Sequence, residues 1–256
     1  MGEGPAHLET VAKPALNIAA LVKRYGALVA LDNIDLRVAP REAFGLVGAN
    51  GAGKTTLIRC LLDLTACDQG RIEIFGTPAR EPLARARLAY LPERFMPPHY
   101  LTGSEFLRTL AALGGGSDDP ARNAALIAEL ELERSALERP VRTLSKGMTQ
   151  KLGLAATFSL ERDLYVLDEP MSGLDPAARV AVKSVLRRLS REGRTLFFTS
   201  HVLADVEELC SSIAVLERAR LRFRGDPRAL CERYGEPNLE RAFMRCVRDD
   251  ERALRA

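Results

Sequence analysis

A glycine-rich segment at residues 48–55 severely limits the folds open to this chain. It reads Gly-Ala-Asn-Gly-Ala-Gly-Lys-Thr and matches G-x-x-x-x-G-K-[ST] at every fixed position. The apolar run Ala43–Val47 precedes it, and apolar residues at helical spacing follow it over residues 54–64. An apolar run that breaks into glycines is typical of a buried strand ending in a loop. The sequence therefore predicts a strand, a glycine-rich loop and a helix in succession.

A loop of this composition is suited to binding phosphate groups. Glycines let backbone N–H groups close around a β-phosphate, and the following helix presents its positive end. Lys54 would neutralise the terminal phosphates, and the Thr55 hydroxyl would bind Mg²⁺. A chance match in a glycine-rich turn would not require the flanking strand and helix. We therefore expect a nucleotide site made by Gly48, Ala49, Asn50, Gly51, Ala52, Gly53, Lys54, Thr55 and Thr56.

A second candidate feature is a pair of adjacent carboxylates, Asp168 and Glu169, directly after the apolar run Leu164–Leu167. In α/β sheets, ligands bind beyond the carboxyl ends of buried strands. Asp168 is expected to hold Mg²⁺ together with Thr55, and Glu169 to polarise an attacking water as general base. A simple strand-end turn is the alternative for this pair alone. The phosphate loop in the same chain favours the catalytic interpretation.

Strand-like and helical runs alternate along most of the chain, which is typical of an α/β fold with a largely parallel sheet and helices on both faces. Short strands are predicted at residues 16–22 and 34–38, before the glycine-rich loop. From residue 102 to about 136 the pattern is helical without strands. We expect this stretch to be a helical subdomain inserted into the α/β core.

Composition excludes several other classes of protein. The chain has 256 residues, with 37 Lys and Arg against 34 Asp and Glu, which gives a net charge of only +3. A nucleic-acid-binding surface would show a larger basic excess, so we expect no nucleic acid partner. Hydrophobic residues make up 46% and charged residues 28%, as in a soluble globular protein. We find no secretory signal and no long apolar span, and expect a cytoplasmic protein. The five cysteines show no C-x-x-C spacing, which favours reduced thiols over a disulfide framework or metal site.

Residues 144–148, Leu-Ser-Lys-Gly-Met, resemble the LSGGQ signature of ATP-binding subunits of ABC transporters. Ser145 stands 23 residues before Asp168, which agrees with the family spacing, and the resemblance extends over about residues 16–224. Lys146 and Met148 depart from the signature, whereas Ser145 and Gly147 are retained. The resemblance implies that Ser145 and Gly147 contact the γ-phosphate of ATP bound to an opposite subunit.

Four further residues resemble elements of the same family. Tyr25 resembles the aromatic residue that stacks on adenine, and Glu93 takes the place of a glutamine that senses Mg²⁺ and the membrane partner. Asp175 ends the segment 172–175, which resembles the loop that crosses to the opposite subunit. His201 follows an apolar run and resembles the histidine that contacts the γ-phosphate. Taken alone, such a tyrosine or histidine would be a packing residue. The resemblance implies that Lys54, Glu169 and His201 are catalytic and that Thr55, Glu93 and Asp168 hold the metal.

The resemblance also implies a fold and a division of the chain. The expected fold is a P-loop NTPase of the ABC ATPase type, with a mostly parallel core sheet, an antiparallel β subdomain and an inserted helical subdomain. Residues 1–14 are expected to be a flexible lead-in and residues 15–225 the ATPase domain. The helical subdomain is expected at about residues 95–160, and a short helical tail at residues 226–256.

The implied function is ATP hydrolysis that powers transport. ATP and Mg²⁺ would be the cofactors, and the subunits would close as a homodimer or heterodimer when ATP binds. A separate integral membrane permease would carry the cargo, so the chain would be peripheral on the inner face of the cell membrane. The form of residues 144–148, Glu93 and the segment 238–243 resemble the exporter-type branch.

Two other functions are weighed against this one. A soluble ABC ATPase of translation or DNA repair would carry two cassettes or a long coiled-coil insertion, whereas this chain has one phosphate loop and no sustained heptad run. A catalytically idle ATP-binding module would have no need of Lys54, Asp168, Glu169 and His201 together.

Overall fold

The computed structural model describes residues 13–115 and 119–253, with two β-sheets and nine α-helices in that part of the chain. The strands are β1 Leu16–Tyr25, β2 Leu28–Val38, β3 Ala43–Val47, β4 Gln69–Ile74, β5 Thr77–Pro78, β6 Leu88–Leu91, β7 Leu164–Leu167, β8 Thr195–Thr199, β9 Ser212–Glu217 and β10 Arg220–Gly225. The helices are α1 Lys54–Leu61, α2 Pro82–Arg85, α3 Gly103–Leu113, α4 Pro120–Glu129, α5 Lys146–Ser159, α6 Pro176–Arg191, α7 Leu203–Leu209, α8 Pro227–Tyr234 and α9 Leu239–Ala253.

A six-stranded sheet forms the centre of the molecule, with strand order β10-β9-β3-β8-β7-β6. Its strands are parallel except β10, which pairs antiparallel with β9. Every residue of β3, β7 and β8 is buried, because helices or strands cover both faces, and this explains their uninterrupted or nearly uninterrupted apolar runs. The carboxyl ends of these three strands meet at one edge. The loops after residues 47, 167 and 199 therefore lie side by side.

A four-stranded antiparallel sheet, with order β2-β1-β4-β5, covers one face of the central sheet. Helix α1 packs between the two sheets through Leu57, Ile58 and Leu61, which are fully buried. Apolar side chains of β1, β2 and β4 and of the central strands complete this core. The sheet holds α1, and therefore the loop before it, against the central strands.

The helices α3, α4 and α5 occupy residues 103–159 and pack against the opposite face of the central sheet, together with α6, α7 and α9. A capping box begins α3, in which the Thr102 hydroxyl accepts from the backbone N–H of Glu105 and the Glu105 carboxylate accepts from the backbone N–H of Thr102. In the described part of the chain no helix has both the length and the apolar character needed to cross a bilayer. Residues 1–12 of the predicted lead-in lie outside the described residues, and the domain boundaries stay a prediction.

Candidate functional site

The loop between β3 and α1 has the geometry that its glycines require. Gly53 has φ of +114° and Gly51 has φ of +81°. Residues with a side chain rarely adopt these backbone conformations, whereas glycine adopts them readily. Lys54 is almost completely buried, and its ammonium group donates to the carbonyl oxygens of Gly48 at 2.7 Å and Ala49 at 3.1 Å. The positive charge is therefore held directly against the loop, at the N-terminal end of α1.

Gly48 is required for a different reason, which gives a first prediction. A Cβ atom at this position would lie 2.2 Å from the backbone carbonyl oxygen of Leu216. We expect Gly48→Ala to lower the free energy of unfolding by roughly 1–3 kcal/mol and the melting temperature by roughly 5 °C, because backbone atoms must move apart. Thermal unfolding followed by circular dichroism measures this change.

The matched control is Gly147→Ala, where an added Cβ would lie 3.8 Å from its nearest neighbour and inside the first turn of α5. We expect an unchanged or slightly higher melting temperature for this variant, because alanine favours helix. Equal melting temperatures for Gly48→Ala and the wild-type chain would contradict the steric argument.

Asp168 lies at the carboxyl end of β7, beside the loop. One carboxylate oxygen accepts from the Thr199 hydroxyl at 2.6 Å, and the other faces the Thr55 hydroxyl at 3.4 Å. Burial raises the pKa of Asp168 above its usual range, and the nearby negative charge of Glu93 raises it further. The two charges and the Thr55 hydroxyl make this a place where a bound cation would be favoured.

Glu169 has φ of +51°, an unusual backbone conformation for a residue with a side chain. Its backbone N–H donates to the Thr199 hydroxyl oxygen at 2.9 Å, which holds the turn in place. One Glu169 carboxylate oxygen lies 2.7 Å from Nδ1 of His201 and accepts from the His201 backbone N–H at 3.3 Å. A carboxylate only accepts, so His201 Nδ1 carries the proton in this contact. Glu169 is thus oriented by Thr199, the last residue of the neighbouring strand β8, and by His201, two residues further along the chain.

These groups open into one cleft of about 540 Å³. It brings together nine of the predicted residues with polar or aromatic side chains: Tyr25, Asn50, Lys54, Thr55, Thr56, Glu93, Asp168, Glu169 and His201. Gly51 and Gly53 also line it, and Gly48 and Ala49 contribute the carbonyl oxygens that hold Lys54. Ala52 is buried behind the loop. Tyr25 is half-exposed at the rim, and the Lys23 ammonium lies 5.1 Å from its ring centre.

Ser145, Gly147 and Asp175 do not line the cleft. The Ser145 hydroxyl accepts from the backbone N–H of Met148 at 3.2 Å and begins α5. Asp175 accepts from the backbone N–H of Ala178 at 2.9 Å and begins α6, and this bond lowers the pKa of its carboxyl group. Both residues stand at helix N-termini away from the cleft of their own chain.

The structure adds residues to the candidate site for which no motif predicted a place in this cleft. Thr199 contacts both Asp168 and Glu169, and Ser172 lines the cleft. Leu28, Val29 and Ala30, at the start of β2, form the wall beside Tyr25. A hydroxyl at the end of the apolar run 195–199, two residues before a candidate histidine, is the sequence signal that identifies Thr199.

The groups present suit a nucleotide and a hard cation. The Thr55 hydroxyl and the Asp168 carboxylate are close enough to serve one ion, and the Glu93 carboxylate lines the same cleft. Hydroxyl and carboxylate oxygens are the ligands that Mg²⁺ prefers. Backbone N–H groups at the start of α1 and the Lys54 ammonium suit phosphate oxygens. The residues therefore fit a magnesium–nucleotide complex.

Comparison with known proteins points to one family. A family model for ABC transporters matches residues 31–172. An ABC transporter ATP-binding protein of Synechocystis sp. is 38% identical over 198 residues, or 76% of this chain and 56% of that protein. The Nod factor export ATP-binding protein I of Rhizobium sp. (strain N33) is 36% identical over 88% of this chain and 75% of that protein. The match thus spans little more than half the length of the Synechocystis relative.

Solved structures agree with the sequence comparison. The structure of an ATP-binding subunit of an ABC transporter is 30% identical, with a TM-score of 0.81 over 91% of this chain and 99% of that chain. A dimeric ATP-binding cassette bound to ADP and Pi, in a post-hydrolysis state, has a TM-score of 0.75 at 18% identity over 82% of this chain and 98% of that chain, which shows the fold alone. The predicted fold class is confirmed. The chain belongs to the ABC transporter family, as an ATP-binding subunit.

Proposed function

We propose that this chain hydrolyses ATP at the cleft described above and so powers export through a separate membrane permease. The observation that carries the proposal is the Glu169 carboxylate, 2.7 Å from His201 Nδ1 and beside Lys54 and Asp168 in one cleft. A module that only binds ATP has no use for an oriented carboxylate next to the phosphate loop. The idle module is therefore the weaker interpretation.

Binding of ATP rests on the loop and the rim of the cleft. The loop's backbone N–H groups and the Lys54 ammonium would hold the β- and γ-phosphates, and Thr56 lies beside them in the cleft. Tyr25 has an exposed ring at the rim, where it would stack on adenine. Each contact uses a group that the fold already holds in place.

Hydrolysis rests on Glu169 and His201. Glu169 would accept the proton of the attacking water, because its carboxylate lines the cleft and is held there by the His201 imidazole and backbone N–H. His201 would then face the γ-phosphate from the same side. When bound, Mg²⁺ supplies charge neutralisation at the phosphates, and Thr55, Asp168 and Glu93 would hold it.

A second ATPase subunit would complete each site. Ser145, Gly147 and Asp175 lie outside the cleft of their own chain, at the N-termini of α5 and α6. Helix N-termini favour anions, so the start of α5 is suited to the γ-phosphate of ATP on a facing subunit, and Asp175 would lie in the loop that crosses to that subunit. ATP between two subunits would close a homodimer or heterodimer, and hydrolysis would reopen it.

Several features support a permease partner. Met96 is 85% exposed and Tyr100 is 72% exposed, in the loop between Glu93 and α3. Exposed apolar side chains next to a residue of the cleft suit contact with a partner that responds to ATP. The relatives named as Nod factor export proteins support export.

We place the chain at the inner face of the cell membrane, with residues 15–225 as the ATPase domain, residues 95–160 as its partner-facing subdomain and residues 226–256 as a tail.

The permease partnership gives a second prediction. Purified from detergent-solubilised membranes, the wild-type chain is expected to retain a multispanning protein, and the double variant Met96→Ser, Tyr100→Ser is expected to lose most of it. Burial of the Met96 and Tyr100 side chains against a partner would stabilise the complex by at most about 3–6 kcal/mol, and serine at both positions removes most of this contribution. Mass spectrometry of the co-purified proteins measures the loss.

Leu113→Ser is the control, because Leu113 is also strongly exposed but lies at the far end of α3. This variant should retain the membrane protein. Recovery of ribosomes or DNA in place of a membrane protein would contradict the transport proposal and favour a translation or repair function.

A further inference from the structure

Helices α6 and α7 are joined by a ladder of charged side chains. Arg179, Lys183 and Arg187 stand four residues apart on α6 and therefore share one face of that helix. On α7, Asp205 contacts Arg179 and lies 3.6 Å from the Lys183 ammonium, and Glu208 contacts Lys183 and Arg187. The ladder thus has an inner rung at Asp205 and an outer rung at Glu208.

The two rungs differ in burial. The Asp205 side chain is 6% exposed, whereas that of Glu208 is 38% exposed. Exposed ion pairs contribute little to stability because water screens them. A buried carboxylate depends strongly on its partners, since removal of one leaves an uncompensated charge. The inner rung is therefore the one that holds the two helices in a defined position.

The inner rung also lies in the first turn of both helices, and the first turn of α7 begins just after His201, which lines the cleft. The Arg179 backbone N–H donates to the Asp175 carbonyl oxygen at 3.0 Å, in the first turn of α6. The Asp205 backbone N–H donates to the Val202 carbonyl oxygen at 3.1 Å, in the first turn of α7, and Val202 directly follows His201. Helix α7 has seven residues and no side-chain cap at its start. Its position depends on packing and on the inner rung.

His201 depends on that position. Its side chain is 61% exposed, so little packing holds the imidazole ring itself. We propose that Asp205 and Arg179 are positioning residues that fix the start of α7 against α6 and so keep the His201 imidazole on the Glu169 carboxylate. The importance of that contact for turnover rests on the proposed ATPase function. The contact itself exists without ATP and is measurable without it.

The experiment compares Asp205→Asn with Glu208→Gln, which removes the same charge from the outer rung. The chain has three histidines, so the imidazole nitrogen resonances of His201 are assignable by ¹⁵N NMR in the nucleotide-free protein. In Asp205→Asn we expect the Nδ1 resonance of His201 to move to the position of a free, solvent-exposed imidazole. We also expect kcat for ATP to fall roughly tenfold with little change in KM, as for a displaced catalytic group. Glu208→Gln is expected to change neither.

The proposal is overturned if folded Asp205→Asn keeps the wild-type His201 resonance, or if Glu208→Gln moves it as far. If Asp205→Asn does not fold, Arg179→Gln and Arg179→Lys replace it. Arg179→Gln should move the His201 resonance, and Arg179→Lys should move it less, because lysine keeps the positive charge. Equal resonances in both Arg179 variants and the wild-type chain overturn the proposal. If Asp205→Asn moves the His201 resonance but the wild-type chain releases no phosphate from ATP, the positioning role is supported and the proposed function is contradicted.

Discussion

Lys54→Ala is expected to weaken ATP binding by roughly 100-fold. The variant loses a buried ammonium group that lies 2.7 Å and 3.1 Å from two carbonyl oxygens of the phosphate loop and faces the cleft. A hydrogen bond to a charged group contributes about 1.5–3 kcal/mol, and 1.4 kcal/mol corresponds to a factor of ten in affinity. Titration calorimetry with ATP and Mg²⁺ measures the dissociation constant.

The control for this prediction is Arg59→Ala, which removes a positive charge from the exposed side of the same helix, α1. We expect its affinity for ATP to stay within about twofold of the wild-type value, because the Arg59 side chain is exposed to solvent and does not line the cleft, and water screens its charge. An unchanged dissociation constant for Lys54→Ala would show that the nucleotide does not bind at this loop.

Glu169→Gln is expected to lower the rate of ATP turnover by roughly 1000-fold while ATP binding is retained. An amide keeps the size of the side chain and still accepts a hydrogen bond from His201, but it does not take up the proton of an attacking water. After incubation with ATP and Mg²⁺ and gel filtration, the variant should carry ATP and the wild-type chain ADP. Chromatography of the bound nucleotide distinguishes the two.

Glu138→Gln is the matched control, since Glu138 is an exposed carboxylate in the helical segment that does not line the cleft. Its turnover should equal that of the wild-type chain. Turnover by Glu169→Gln at the wild-type rate would mean that another group is the general base.

The sequence predicted the parts of the fold that are buried on both faces better than the exposed parts. β3 and β7 are wholly apolar, and their ends are where the sequence places them. β2 begins at Leu28 rather than at residue 34, because a tight turn at Gly26, with φ of +58°, pairs Tyr25 with Leu28. Those first residues of β2 are partly exposed and have no clear alternation. α1 ends at Leu61 rather than at residue 64, since Asp63 has φ of +57°, which is incompatible with a continuing helix.

Within the candidate site, motifs identified the charged residues but not the contacts between them. The order of residues along the chain predicted that Asp168 and Thr55 would meet, because both follow parallel strands of one sheet. Thr199 has no motif of its own, and its two hydrogen bonds follow from the register of β7 against β8. The resemblance implies that Ser145 and Asp175 serve an opposite subunit, and neither residue lines the cleft of its own chain.

The central claim is that this cleft hydrolyses ATP, and phosphate release by the purified wild-type chain tests it most directly. With ATP and Mg²⁺ we predict continuous release of phosphate that stops when EDTA removes the metal, because Thr55, Asp168 and Glu93 offer the oxygen ligands of one cation. ATP bound in the cleft with phosphate release no faster than in buffer would contradict the account.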